Sequence, residues 1–200
     1  PQIPVVSVTD QIADQILKEC TRMQAVMSVE TDTGWRKIPS LTATLKAPAD
    51  TEEYVMFSGH LDSWYYGAID NGTVNAAQLE VARIASENQA DLKRNLKFVM
   101  FSGHSHGRYA GSAWYADHHW EELHEHCVLN INADSLGGKG ADDLTQSIIM
   151  PEAKTVAQEI IRKLTGVEYV GTRPGRLADQ SFWICGVTSA FASFSKHKET

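Results

Sequence analysis

The chain has 200 residues, of which 42% are hydrophobic and 22% are charged, and its formal net charge is −7 at pH 7. These values are typical of one soluble globular domain with a sizeable core. The negative net charge argues against nucleic acid or an anionic membrane surface as the main partner. No apolar run reaches the roughly 20 residues of a membrane span.

The cysteines are few and widely spaced. Cys20, Cys127 and Cys185 form no C-x-x-C pair, which indicates free thiols rather than a disulfide framework. This slightly favours a reducing, cytoplasmic environment, with a secreted protein of few disulfides as the alternative. The sequence begins at Pro1 without an initiator methionine and stops soon after an apolar run. We therefore expect residues 1–200 to form one domain that is a fragment of a longer chain.

Apolar runs alternate with segments of helical period. Residues 9–20 predict a helix with Thr9 as its N-cap. Two stretches of alternating pattern, 25–33 and 40–47, predict an antiparallel pair of strands. Further strands are predicted at 54–59, 96–103, 127–134 and 186–194, and further helices at 71–88 and 151–166. This alternation predicts an α/β fold with a mainly parallel sheet.

Three polar clusters each follow a predicted buried strand. They are GHLD at 59–62, GHSHG at 103–107 and NADS at 132–135. In open α/β sheets, ligands bind outside the carboxyl ends of the strands. We therefore expect the three clusters to converge on one site.

The first and third clusters contain metal-ligand chemistry. His60 and Asp62 are two residues apart, so on a continuing strand they point the same way, and Asp62 can fix the tautomer of a metal-bound His60. Asp70 lies in a glycine-rich turn before the next helix, and Asp134 ends the third strand. Each residue alone also fits a solvated strand end or a turn. Together, His60, Asp70 and Asp134 offer nitrogen and oxygen ligands suited to zinc or a similar divalent ion.

The order of these motifs resembles that of the co-catalytic zinc aminopeptidase family, which includes glutamate carboxypeptidase II and the transferrin-receptor ectodomain. The motifs are GHLDS at 59–63, GAIDNGT at 67–73, LKFVMFSG at 96–103 before AGSAWYA at 110–116, and NINADSLG at 130–137. The resemblance implies a three-layer αβα sandwich, one or two zinc ions and a peptide or amino-acyl substrate. It makes His60 a ligand of one zinc, Asp70 the carboxylate that bridges two zincs, and Asp134 a ligand of one zinc.

The chain departs from that family after the middle strand. The family carries two adjacent glutamates there, a general base and a zinc ligand, whereas this chain reads GHSHGRYAGS without a carboxylate. Neutral imidazole can take either role. We predict His106 as the ligand and His104 as the base or an orienting group, and the two assignments can be exchanged. The family's last zinc ligand is a histidine beyond the final strand, and here only His197 resembles it, in a stretch that matches the motif loosely.

Three aromatic residues, Trp64, Tyr65 and Tyr66, lie between His60 and Asp70. We predict that they line a pocket for an apolar substrate side chain, with packing between helices as the alternative. The histidine-rich stretch at 116–126 contains neither zincin motif. It instead predicts a helix whose Trp114, Trp120 and Leu123 face inward.

Two other functions compete with a metallohydrolase. Ser105 sits in a G-x-S-x-G frame, and Ser105, Asp134 and His197 follow the chain order of α/β-hydrolase triads. That fold places a helix directly after the nucleophile, whereas two more glycines follow here. The missing glutamate pair also allows a non-catalytic binding module on the same fold.

Overall fold

The computed structural model of the protein describes residues 5–22, 24–143, 147–168 and 181–194. The chain forms two compact units, residues 1–37 and residues 38–200. In the first unit, helix α1 spans Asp10–Glu19, and the Thr9 side chain accepts a hydrogen bond from the Ile12 amide at 3.4 Å. The predicted N-cap is therefore confirmed.

A mixed sheet organises the second unit. Within the described residues its strands are β1 (Leu41–Leu45), β2 (Tyr54–His60), β3 (Asn95–Phe101), β4 (Cys127–Leu136), β5 (Ile148–Ile149) and β6 (Ser189–Phe194). Its helices are α2 (Thr73–Glu87), α3 (Ala110–His118), α4 (Trp120–His126), α5 (Pro151–Thr165) and α6 (Ser181–Ile184). The strand order is β1-β3-β2-β4-β6-β5, with four parallel central strands and antiparallel strands at both edges. The predicted αβα fold with a mostly parallel sheet is confirmed.

The two faces of the sheet bury different residues because side chains alternate along a strand. On one face, Met56 joins a buried cluster with residues of the neighbouring strand and of α3, α4 and α6: Phe101, Tyr115, Leu123 and Phe182. On the other face, Gly59 lets α2 approach closely, since a Cβ atom there would lie 2.8 Å from Val74 Cγ1. The close packing of α2 positions the turn that precedes it.

The first predicted strand pair is wrong. Residues 25–33 contain no strand, and β1 pairs antiparallel with β3 instead. Alternation predicts a strand only where one face is covered, and here Val26 is 96% exposed. The predicted burial of Leu123 in α4 is confirmed, but Trp114 in α3 and Trp120 in α4 are exposed. No helix in the described part of the chain has the length and apolar character of a membrane span.

An ion pair joins the sheet to α4 at the edge where the parallel strands begin. Lys97 contacts the Glu122 carboxylate, and its Nζ lies 4.1 Å from the centroid of the Tyr54 ring. Burial raises the pKa of the Glu122 carboxyl, but the ion pair with Lys97 and a 3.2 Å contact to His119 outweigh it. The pKa of Glu122 therefore lies below its usual range.

This depressed pKa makes the pair a pH-dependent source of stability. Because the folded-state pKa of Glu122 lies below the unfolded value of about 4.3, the stabilisation is present above that pH and is lost as pH falls through the folded pKa. Glu122→Gln should lower the free energy of unfolding by about 0.5–1 kcal/mol at pH 7, since the carboxylate is partly solvated. Urea titrations from pH 7 down to about pH 3 should show a constant difference above about pH 4.3 and a shrinking one below it, while Glu121→Gln, on the exposed face, changes little. A difference that stays constant with pH would contradict the assignment.

Candidate functional site

The carboxyl ends of β2 and β4 bring three of the predicted residues together. His60 is the last residue of β2 and is 1% exposed. Its Nε2 atom lies 3.0 Å from Asp70 Oδ1 and 3.5 Å from Asp134 Oδ1. The predicted nitrogen and oxygen donors therefore face one another at the sheet edge.

Asp62 fixes the orientation of His60 through its main chain. His60 Nδ1 lies 2.8 Å from the Asp62 carbonyl oxygen, whereas the Asp62 carboxylate is 3.9 Å away. A carbonyl only accepts hydrogen bonds, so this contact places a proton on Nδ1 and turns Nε2 toward Asp70 and Asp134. Nε2 can face two carboxylates in this way when it carries a proton or when a cation lies between the three groups, so the cluster is able to hold a metal ion.

The Asp62 carboxylate has a different task. Its two oxygens accept hydrogen bonds from the main-chain N–H groups of His104 and Ser105, at 3.2 and 2.9 Å. The carboxylate therefore anchors the GHSHG loop beside the end of β2. Sequence analysis predicted that the Asp62 carboxylate would orient His60, whereas in the structure the main-chain carbonyl of Asp62 makes that contact and the carboxylate binds the loop.

The anchored loop presents His104 to the cluster. The His104 ring stacks on His60 with centroids 3.7 Å apart and an interplanar angle of 10°, and its Nε2 lies 4.0 Å from Asp134 Oδ2. Donor atoms of His60, His104 and Asp134 all lie within 4.8 Å of one another. His104 thus joins the histidine and carboxylates that the strand ends supply.

His106 lies elsewhere. Its Nε2 is 3.2 Å from the Ser63 carbonyl oxygen, and its ring packs edge-on against Trp64 with centroids 4.4 Å apart. The structure therefore groups His104, and not His106, with the two carboxylates.

The two carboxylates differ in environment. Asp70 lies in a tight helical turn, Ala68–Gly72, that follows Gly67 in the left-handed region at φ 60°, and its side chain is 48% exposed. Asp134 is more buried. Burial raises its pKa, but interactions with His60, His104 and the Ser135 hydroxyl outweigh that effect, so the pKa of Asp134 lies below its usual range. Asp134 is thus held as an anion.

A cleft of about 330 Å³ opens above these groups. Its lining residues are Trp64, Asp70, His104, Ser105, Arg108, Tyr109, Asp134 and Ser135. In the described residues the non-glycine positions with left-handed φ are Arg108, Tyr109 and Ser135, and all three lie in this lining. Such backbone conformations cluster at functional sites.

Sequence analysis missed these three residues because no non-glycine residue type signals a left-handed backbone. Of the predicted aromatic residues only Trp64 lines the cleft, whereas Tyr65 and Tyr66 are 89% and 102% exposed. His197 lies outside the described residues, so the predicted serine triad has two of its members, Ser105 and Asp134, in the cleft.

A comparison with models of known protein families identifies the family of this chain. Residues 40–174 match the model of peptidase family M28. The chain belongs to peptidase family M28. The matched range in this M28 chain contains His60, Asp70, His104 and Asp134, so the resemblance predicted from the motifs is confirmed at the level of the family.

Curated relatives of this M28 chain are carboxypeptidases by name. The chain is 28% identical over 106 residues to a probable glutamate carboxypeptidase of Zea mays, a match that covers 52% of this chain and 15% of the relative. It is 25% identical over 203 residues to carboxypeptidase Q of Mus musculus, with coverage of 95% and 41%. The chain thus spans less than half the length of these relatives.

Solved structures share the fold. A zinc aminopeptidase from Bacillus subtilis superposes with a TM-score of 0.67 at 22% identity, over 80% of this M28 chain and 40% of that chain. The LapA aminopeptidase of Legionella pneumophila gives a TM-score of 0.65 at 20% identity, over 84% and 47%. These similarities establish the αβα architecture.

Proposed function

We propose that this chain forms the catalytic domain, residues 1–200, of a metal-dependent peptidase that cleaves an amide bond. The observation that carries the proposal is the convergence of His60 Nε2 with the carboxylates of Asp70 and Asp134, which lie 3.0 and 3.5 Å away. Membership of family M28 supports the same chemistry.

We assign His60, Asp70, His104 and Asp134 as the metal ligands. Ligand atoms of a tetrahedral zinc ion lie roughly 3.3–3.5 Å apart, which follows from zinc–ligand bonds of about 2.0–2.2 Å. The distances from Asp134 to His60 and His104, 3.5 and 4.0 Å, are close to that spacing. Imidazole nitrogens and carboxylate oxygens are ligands that zinc accepts, in sites of one or two ions.

In this assignment His104 takes the role that the sequence gave to His106. Two contacts support the exchange: His104 stacks on His60, whereas His106 meets the Ser63 carbonyl oxygen. When bound, zinc acts as a Lewis acid that acidifies water and polarises an amide carbonyl. The chain contributes fixed donor positions: Asp62 holds both the Nδ1 proton of His60 and the loop that carries His104.

The substrate is a peptide or an amino-acyl compound. A cleft of about 330 Å³ accommodates a group the size of one or two residues beside the ligands. Trp64 forms one wall, with His106 packed edge-on against its ring, and so offers a surface for an apolar side chain. Tyr65 and Tyr66 are exposed on the same loop and do not line the cleft, so we assign the apolar contact to Trp64 alone.

Metal analysis tests the proposal. We expect the purified protein to hold one or two equivalents of zinc by atomic emission spectroscopy. Removal by a chelator should lower the melting temperature, because a ligand present at 100 times its Kd stabilises the folded state by about 2.7 kcal/mol. Aminoacyl amides and dipeptides would then be screened as substrates, with and without zinc.

A second candidate function is a non-catalytic binding module on the same fold. The observation that favours it is the absence of both glutamates from GHSHG. Absence of zinc from the purified protein, with no change in melting temperature after chelation or zinc addition, would overturn the peptidase proposal and favour the binding module.

A further inference from the structure

The buried side-chain amide of Asn71 makes hydrogen bonds to the main chain on both sides of Asp134. Asn71 is 1% exposed and follows Asp70 directly in the sequence. Its Nδ2 donates to the Ala133 carbonyl oxygen at 3.3 Å, and its Oδ1 accepts from the Ser135 N–H at 3.2 Å. The main chain that carries one carboxylate is thereby tied to both neighbours of the other.

A second amide extends this connection to the histidine. Asn75 lies one helical turn after Asn71, at the start of α2, and its Nδ2 lies 3.2 Å from the His60 carbonyl oxygen and 3.0 Å from that of Asn71. Asn71 and Asn75, called here the asparagine frame, therefore connect the main chains at His60, Asp70 and Asp134. These residues come from the end of β2, the turn before α2 and the end of β4.

We propose that Asn71 is a positioning residue that fixes the distance between the Asp70 and Asp134 carboxylates for a metal ion. The inference rests on the proposed function. Coordination requires donor positions held within about 0.5 Å, and the three segments belong to separate elements whose packing alone leaves more freedom. Because Asp70 is half exposed and sits in a turn, the frame supplies the restraint that burial does not.

The test compares two buried amides in the full chain. Asn71→Leu removes both side-chain hydrogen bonds to the main chain of Ala133 and Ser135, the neighbours of Asp134. Gln78→Met is the matched control, because Gln78 is also 1% exposed and its Nε2 donates to the carbonyl oxygens of Phe57 and Val99, which do not flank a proposed ligand. The dissociation constant for zinc is measured by competition with a chromophoric chelator, and the cobalt-substituted proteins are compared by visible absorption.

We expect both variants to melt at a lower temperature than the parent, but only Asn71→Leu to bind zinc about 10- to 100-fold more weakly and to alter the cobalt spectrum. If Asn71→Leu does not fold, Asn71→Ala, which removes the same two hydrogen bonds without adding an apolar group to the site, provides the same comparison. Zinc affinities equal to that of Gln78→Met would overturn the positioning role while leaving the proposed function intact. A parent protein that binds no metal would instead overturn the proposed function, and this inference with it.

Discussion

Asp70→Asn should weaken zinc binding by more than the roughly 100-fold that marks the loss of an outer-shell partner. The substitution keeps the size of the side chain and removes the negative charge that faces His60 Nε2 at 3.0 Å. Because the Asp70 side chain is 48% exposed, the metal-free variant should melt within a few degrees of the metal-free parent. Competition with a chromophoric chelator measures the affinity, and a thermal melt in excess chelator measures the fold.

Asp50→Asn provides the control for charge alone. Asp50 is exposed in the bend after β1, away from the strand ends that carry His60 and Asp134. The control removes one negative charge from the protein and should leave zinc affinity within about twofold of the parent, since separated surface charges are screened by salt. Equal zinc affinities for Asp70→Asn and Asp50→Asn would show that Asp70 is not a ligand.

His104→Ala should lower amide hydrolysis by about 100-fold or more, whereas His106→Ala should lower it by less than about tenfold. The reason is position: His104 lies within 4.8 Å of the other donor atoms, and His106 packs against Trp64 at the cleft wall. Steady-state kinetics and zinc affinity are measured on the same preparations. Ser105→Ala is the third member of the set, and it should retain most of the activity because the proposed chemistry assigns no nucleophile to its hydroxyl.

These variants separate three mechanisms. Loss of both zinc affinity and activity in His104→Ala supports the ligand role. Loss of kcat with unchanged zinc affinity would make His104 the general base, the role that the sequence first gave it. Loss of activity in Ser105→Ala alone, together with labelling by a fluorophosphonate probe, would favour the serine hydrolase and overturn the metal mechanism.

Much of the fold follows from local patterns in the sequence. The buried strands β2, β3 and β4 were predicted within a few residues, because apolar runs of that length have few alternatives in an α/β chain. The pairing of β1 with β3 was not predicted, since strand pairing depends on which edge of the finished sheet is open. Family membership confirmed the motif order, whereas the roles of the site residues remain predictions.

The residue types of the candidate site were predictable from the sequence, whereas their geometry was not. His60, Asp70 and Asp134 stand out because each lies beside the carboxyl end of a predicted strand or in the turn before a helix. The choice between His104 and His106 depends on the contact of Asp62 with a loop 42 residues later, which no local pattern encodes. The two contacts of Asn71 beside Asp134 were missed for the same reason, because they join residues 62 and 64 positions apart.

The Asp62 carboxylate holds the loop by its main-chain N–H groups, at His104 and Ser105. Every amino acid except proline offers that group, so the anchor does not depend on which side chain stands at position 104. The side chain at position 104 and the placement of the loop can therefore vary independently. Exchange of His104 for glutamate or cysteine should therefore leave the loop in place, and it should change the metal preference of the protein if position 104 supplies the proposed ligand.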